Sequence, residues 1–62
     1  MTASDLRALL AHMPEGMVAE TRKYKVYGEW TPWHVTDPAK ALHRMDVRVD
    51  GYCPYEVRIR VL

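Results

Sequence analysis

The chain must build its hydrophobic core from 62 residues without an internal disulfide, because Cys53 is its only cysteine. A domain of about 60 residues buries only about 60% of the surface that its unfolded chain exposes. Most of the apolar residues are therefore committed to a single core, and little remains to line a deep pocket. Secreted domains this short usually depend on several disulfides. We therefore expect one cytoplasmic domain that covers residues 1–62.

The composition is that of an ordinary globular protein, with 48% hydrophobic and 27% charged residues. Nine basic side chains stand against eight acidic ones, so the net charge alone indicates neither nucleic acid nor a membrane as the partner. Asp5 and Arg7 interrupt the apolar residues near the N-terminus, so a signal peptide is not predicted. No apolar run approaches the length of a membrane span.

Two stretches have the spacing of an amphipathic helix. The first helix is predicted over residues 3–13, with apolar positions i, i+3, i+4 and i+7 at Leu6, Leu9, Leu10 and Met13. Thr2 and Asp5 form the pattern of a capping box at its start, and Pro14-Glu15-Gly16 predicts a reversing turn after it. The second helix is predicted to begin at Pro38, with Asp37 as its cap, and repeats the spacing at Pro38, Ala41, Leu42 and Met45.

Alternating residues predict the strands. One strand is predicted from Met17 to Trp30, where the alternation is clearest after residue 22, whereas residues 18–22 suit a helix as well as a strand. Pro32 lacks an amide hydrogen, so the Trp30-Thr31-Pro32-Trp33 segment must break the sheet or lie at its edge. Near the C-terminus, residues 47–49 and 55–61 alternate on either side of an Asp50-Gly51 turn, which predicts a hairpin or two short strands.

These elements predict an α+β fold, in which two short helices pack on one face of a small antiparallel sheet of three to four strands. Alternation assigns one set of side chains to the helix-covered face: Tyr24, Val26, Val47, Val49, Val57, Ile59 and Val61. It assigns a second, cationic set to the opposite face together with Tyr27: Lys23, Lys25, Arg48, Arg58 and Arg60. The sequence therefore predicts a basic sheet face.

The sequence offers no positive indication of catalysis, of a cofactor or of a metal site. The possible metal ligands lack the short paired spacings of structural zinc sites: His12, His34, His43 and Cys53. Cys53 lies between aromatic residues, which favours a small packing residue over a nucleophile. Three glycines leave no room for a phosphate-binding loop. A small enzyme, with Cys53, His34 and Glu56 as its candidate cluster, or a metal-binding domain is the least favoured alternative.

We expect a small stand-alone protein that occupies a surface of a larger protein or complex, as a regulator, inhibitor or assembly factor of the kind that phages and mobile elements encode. The expected partner-binding residues are Lys25, Tyr27, Trp30, Trp33, Arg48, Arg58 and Arg60. Their types are common at the centres of protein interfaces. A nucleic-acid-binding module that uses the basic face is the alternative. A third interpretation is that the basic face only keeps the protein soluble.

The last predicted strand, from Val57 to Leu62, has a further consequence. If it lies at the edge of the sheet, its free backbone groups can pair with the same strand of a second copy. The sequence therefore also predicts homodimer formation through this strand, and it gives no reason to expect binding to a membrane.

Overall fold

The computed structural model describes the backbone of residues 1–62 and the side chains of all residues other than Val26. The elements are, in chain order, α1 (Ala3–Ala11), β1 (Met17–Lys23), a 3-10 turn (Val26–Gly28), β2 (His34–Thr36), α2 (Pro38–Arg44) and β3 (Tyr55–Val61). The three strands form an antiparallel sheet in the order β2-β1-β3. The chain is therefore a small α+β fold, as predicted.

Both helices begin where their capping residues predict. At α1, the Thr2 hydroxyl accepts a hydrogen bond from the Asp5 amide at 3.2 Å, and the Asp5 carboxylate accepts one from the Thr2 amide at 3.1 Å. At α2, the Asp37 carboxylate accepts a hydrogen bond from the Ala39 amide at 2.8 Å, with Pro38 in the first helical position. The predicted caps and helices are confirmed, although α1 ends at Ala11 rather than at residue 13.

The strand prediction for residues 17–30 was wrong in its second half. Residues 18–22, whose sequence suits a helix as well as a strand, lie inside β1, and this strand ends at Lys23. The chain then reverses through a tight turn, in which the Lys25 amide donates to the Glu29 carbonyl oxygen at 2.6 Å. Tyr27 and Gly28 have positive φ angles of 70° and 82°, which a continuous strand does not allow. Residue types continue to alternate after Lys23 although the backbone turns there.

The predicted strand at residues 47–49 was also wrong. Only Val49 pairs there, in an isolated bridge with Tyr52. The Asp50-Gly51 turn itself is confirmed, because both residues have positive φ angles, 51° and 83°, as a type I′ turn requires. The hairpin therefore consists of a turn without strands on either side. Val47 and Val49 do not contribute sheet positions to the helix-covered face, and Val49 is 56% exposed.

The core lies between the sheet and the two helices. Its buried apolar residues are Leu10 of α1, Ala19 of β1 and Ala41 of α2. Partly buried apolar residues pack around them: Leu6, Met13, Leu42, Met45, Val57 and Ile59. The small side chains of Ala19 and Ala41 let α2 approach β1 closely. Val57 and Ile59 face the core as predicted, whereas Val61 is 68% exposed near the end of the sheet.

Two further residues were predicted on the helix-covered face, Tyr24 and Val26. Tyr24 does not pack under the helices, because it lies beyond the end of β1 and is 44% exposed. The side chain of Val26, which was also predicted to face the helices, lies outside the described residues.

Within the part of the chain that the structure describes, no helix is both long and apolar enough to cross a bilayer.

Candidate functional site

One face of the sheet carries no helix. We call it the free face, and strand alternation and register place these side chains on it: Val18, Glu20 and Arg22 from β1, Val35 from β2, and Glu56, Arg58 and Arg60 from β3. Trp33, which precedes β2, has its indole ring against arginine side chains of this face. The free face therefore combines three arginines and two glutamates with an indole and two valines.

Glu20 lies at the centre of the free face, on the central strand. Its carboxylate accepts hydrogen bonds from Nε of Arg58 at 2.9 Å and from Nε of Arg60 at 3.2 Å. The Glu20 side chain is only 8% exposed, whereas those of Arg58 and Arg60 are 44% and 51% exposed. The hydrogen bond from Arg58 lowers the pKa of Glu20, burial opposes this by raising it, and the hydrogen bond from Arg60 lowers it further. Glu20 is thus a buried anion that orients two guanidinium groups.

Trp33 packs between two arginines of the free face. The guanidinium carbon of Arg58 lies 4.1 Å from the Trp33 ring centroid, and that of Arg22 lies 4.8 Å from the same ring. Arg22 also lies 4.7 Å from the centroid of Trp30 and donates a hydrogen bond to Glu56 at 2.8 Å. Cation–π contacts of this kind fix the planar guanidinium groups against the rings. The arginines are therefore held in defined positions.

The free face is not the plain cationic surface that the sequence predicts. Each of its three arginines has a carboxylate partner, either Glu20 or Glu56. The groups that reach solvent are nevertheless the guanidinium groups of Arg58 and Arg60, because Glu20 lies beneath them. An approaching molecule therefore meets exposed cations beside Trp33 and the 65%-exposed Val35.

The structure separates the predicted partner-binding residues. It brings Trp33, Arg58 and Arg60 together on the free face, with Trp30 at its end against Arg22. It places the others elsewhere: Lys25 and Tyr27 belong to the turn beyond β1, and Arg48 follows α2 and donates to the carbonyl oxygens of Met45 and Val47. Lys23 has the register of the helix-covered side. The prediction that one face of the sheet holds all five of these basic residues was therefore wrong: Lys23, Lys25, Arg48, Arg58 and Arg60.

Sequence reasoning missed the most buried part of the free face. Glu20 and Arg22 alternate with Ala19 and Thr21, and this alternation would have identified them if residues 18–22 had been assigned to a strand. Because the alternation is clearer after residue 22, the predicted face includes residues of a segment that turns away from the sheet. The error in the strand boundary thus became an error in the site.

A second exposed surface lies at the end of the sheet, beyond Lys23. Tyr24 and Trp30 pair in an isolated bridge, and their rings make an edge-to-face contact with centroids 5.3 Å apart. These rings, together with Val49, Tyr52 and Pro54, line an open cleft of about 660 Å³. Tyr52 is 79% exposed and contributes little to the core. This aromatic surface adjoins the free face through Trp30.

The residues considered for catalysis do not form a cluster. His34 and Glu56 have registers on opposite faces of the sheet, so their side chains point away from each other. Cys53 is half-buried, and its thiol lies 3.4 Å from the carbonyl oxygens of Arg44 and Tyr55. Within the described residues, no three His, Cys, Asp or Glu side chains come close enough together to hold a metal ion.

Comparison with protein-family models, curated proteins and solved structures gave no match for this chain. Its function must therefore be argued from its own geometry. The free face offers exposed and oriented guanidinium groups next to an indole and a valine, over a buried carboxylate. Such a surface can bind carboxylate groups and apolar side chains at the same time.

Proposed function

We propose that this chain is a small cytoplasmic binding protein that occupies a surface of a larger protein, and that the free face is its docking surface. The observation that carries the proposal is the uncovered plane formed by Arg58, Arg60, Trp33 and Val35. Arginine and tryptophan are the residue types that contribute most to binding energy at protein interfaces. The proposal needs no catalysis, and it fits a regulator, inhibitor or assembly factor.

The geometry favours a partner that presents carboxylate groups around an apolar residue. Glu20 engages Nε of Arg58 and of Arg60, so the terminal nitrogen atoms of both guanidinium groups remain available to an incoming carboxylate. Val35 offers an exposed apolar contact beside the partly exposed ring of Trp33. Because Glu20 and Trp33 already fix Arg58, little side-chain entropy is lost when a partner binds.

Nucleic acid is the alternative partner. Its affinity for a protein depends on cations that displace the counterions of the phosphates. On the free face, Glu20 and Glu56 neutralise part of the charge of the three arginines, which weakens this contribution. The free face therefore supports protein binding better than phosphate tracking, and the dependence of binding on salt distinguishes the two.

The test uses a photo-crosslinking amino acid at Val35, on the free face, and at Ala39, on the exposed side of α2. Each protein is irradiated in a lysate of its native host, with and without nuclease. We expect a discrete, nuclease-resistant protein adduct from the Val35 position only, and its loss when Arg58→Ala and Arg60→Ala are added. Equal adducts from both positions, or an adduct that survives the two arginine changes, would contradict the proposal.

A second arm tests nucleic acid directly. A fluorescent single-stranded oligonucleotide of about 12 nucleotides is titrated with the purified chain at about 50 and 200 mM salt. We expect either no saturable binding of the oligonucleotide or binding that Arg58→Ala does not abolish. Tight binding with a steep salt dependence that Arg58→Ala and Arg60→Ala flatten would assign the free face to nucleic acid instead.

A further inference from the structure

A polar cleft opens on the helix-covered side of the sheet, where the apolar core ends. We call it the cationic cleft, and the residues that define it are Thr21, Lys23, Thr36, Lys40, Arg44 and Tyr55. It measures about 460 Å³ and lies between α2 and the strands β1 and β2, and its rim reaches Arg22 and Val35 of the free face. Hydroxyl and cationic groups therefore occupy a place where a small domain usually buries apolar side chains.

Arg44 is the central residue of the cleft, and its position is fixed. Nη1 of Arg44 donates a hydrogen bond to the hydroxyl of Thr21 at 2.8 Å, and that hydroxyl also lies 2.8 Å from the hydroxyl of Thr36. The guanidinium carbon of Arg44 lies 5.3 Å from the Tyr55 ring centroid. Thr21 is only 2% exposed, so this end of Arg44 is anchored in the interior of the protein.

Arg44 differs from the other half-buried arginines in its charge balance. Arg7 and Arg22 each form an ion pair with a carboxylate, at Asp46 and Glu56. Among the described residues, no carboxylate lies within ion-pair distance of Arg44, although its side chain is only partly exposed. A guanidinium group that is partly removed from water without a counter-charge is stabilised when an anion binds beside it.

The remaining walls of the cleft add to this positive charge. Lys23 and Lys40 reach it from β1 and α2, and both are exposed. Asp37 also lines the cleft, but its carboxylate accepts the hydrogen bond from the Ala39 amide that caps α2. Arg22 lines the cleft as well, but it is already paired with Glu56. Lys23, Lys40 and Arg44 thus outnumber the single carboxylate of Asp37.

We propose that the cationic cleft binds the phosphate group of a small phosphorylated molecule. Arginine binds phosphate through two parallel hydrogen bonds, and Arg44 has Nε and Nη2 left for them once Nη1 is engaged by Thr21. Lys23 and Lys40 neutralise the remaining charge of the phosphate. The volume of about 460 Å³ falls in the range of small-molecule sites and exceeds that of a bare phosphate ion. The rest of the ligand therefore packs along the Tyr55 ring.

The experiment titrates the purified full chain with inorganic phosphate, pyrophosphate and adenosine monophosphate, with sodium chloride at the same ionic strength as the control. Backbone amide NMR shifts report the site. We expect saturable shifts centred on Thr21, Thr36 and Arg44, with a dissociation constant below about 1 mM for at least one of the three probes. Shifts that match those caused by sodium chloride, or that spread over all basic residues, would overturn the proposal.

Variants identify the residues that carry the binding. Arg44→Gln is expected to abolish the saturable shifts, and Lys40→Gln is expected to weaken binding by about tenfold. Because Arg44 also contacts Tyr55 and Thr21, the exposed Lys40 keeps the test valid even where Arg44→Gln unfolds the chain. Arg48→Gln, which changes a guanidinium outside the cleft, is the matched control and should leave the affinity unchanged.

An oligonucleotide of about ten nucleotides distinguishes a small ligand from a nucleic-acid backbone. If the same amides shift with the oligonucleotide alone, and pyrophosphate does not displace it, the cleft is a nucleic-acid contact and the proposal is wrong. Displacement by pyrophosphate supports it. Since Val18→Lys adds a charge to the free face and Val18 does not line the cleft, this change should not affect pyrophosphate affinity.

Discussion

The guanidinium group of Arg58 lies over the indole ring of Trp33, with 4.1 Å between the guanidinium carbon and the ring centroid. The two residues come from opposite edges of the sheet, on either side of the central strand β1. Glu20 of β1 holds Nε of Arg58 between them at 2.9 Å. This contact therefore spans the full width of the free face and fixes an exposed cation above it.

Replacing Arg58 by lysine should weaken the free face while it keeps the charge. A lysine ammonium group loses the planar stack on Trp33, and an exposed cation–π contact contributes about 0.5–1 kcal/mol. We expect a decrease of that size in the free energy of unfolding in urea, together with a red shift in tryptophan emission. Arg48→Lys is the control, since Arg48 stacks on no ring among the described residues. An unchanged emission spectrum in Arg58→Lys would show that the stack is not populated in solution.

Glu20 should make the protein sensitive to acid. The hydrogen bond from Arg58 lowers the pKa of Glu20 in the folded state, so the unfolded state binds the proton more readily as the pH falls. The contribution of Glu20 to stability is therefore present above its unfolded pKa of about 4.3 and is lost as the pH falls through the lower folded value. Asp46, whose pKa is lowered by its hydrogen bond from Arg7, adds in the same direction.

The measurement is the free energy of unfolding in urea between about pH 3 and pH 7. We expect Glu20→Gln to be less stable than the parent protein at pH 7 and to lose less stability on acidification. Glu29→Gln is the control, because Glu29 is exposed and forms no ion pair among the described residues. A pH profile for Glu20→Gln that runs parallel to that of the parent protein would rule out this role for the carboxylate.

The helices and their boundaries could be predicted because their signals are local. Thr2, Asp5 and Asp37 bond to backbone groups no more than three residues away, so sequence spacing alone specifies them. The strand at β3 was predictable for a similar reason, since its alternation of Val57 and Ile59 with Arg58 and Arg60 extends over the whole element. Fold class follows from these elements.

The candidate sites could be predicted only in part, because they depend on where the chain turns. The end of β1 at Lys23 depends on the Lys25–Glu29 turn and on the pairing of Tyr24 with Trp30. The alternation of residue types encodes neither of these contacts. The contact of Arg44 with Thr21 joins residues 23 positions apart, and it follows from the packing of α2 on β1. Sequence alone therefore identified Trp33, Arg58 and Arg60 of the free face. It did not identify Glu20, Arg22 or Arg44.

The core is small enough for one truncation to unfold the chain. Leu10 is 3% exposed and is the largest of the three residues in the buried cluster. Replacing a buried leucine by alanine costs about 2–5 kcal/mol, against a total stability of roughly 0.05–0.15 kcal/mol per residue. We therefore expect Leu10→Ala to lose most of its circular dichroism at 222 nm at 37 °C. Leu9→Ala, at a half-buried position of the same helix, is the control and should remain folded.

β3 lies at an edge of the sheet, which meets the condition for pairing with a second copy of the chain. Its seven residues pair with β1 on one side only, so the backbone groups of the other side are available to another strand. We expect sedimentation equilibrium to detect a monomer–dimer equilibrium at concentrations of about 10–500 µM. Val61→Lys, which puts a charge at an exposed position of this edge, should shift it to the monomer, whereas Val49→Lys, equally charged but outside the sheet, should not. A monomer mass that does not depend on concentration would refute pairing through β3.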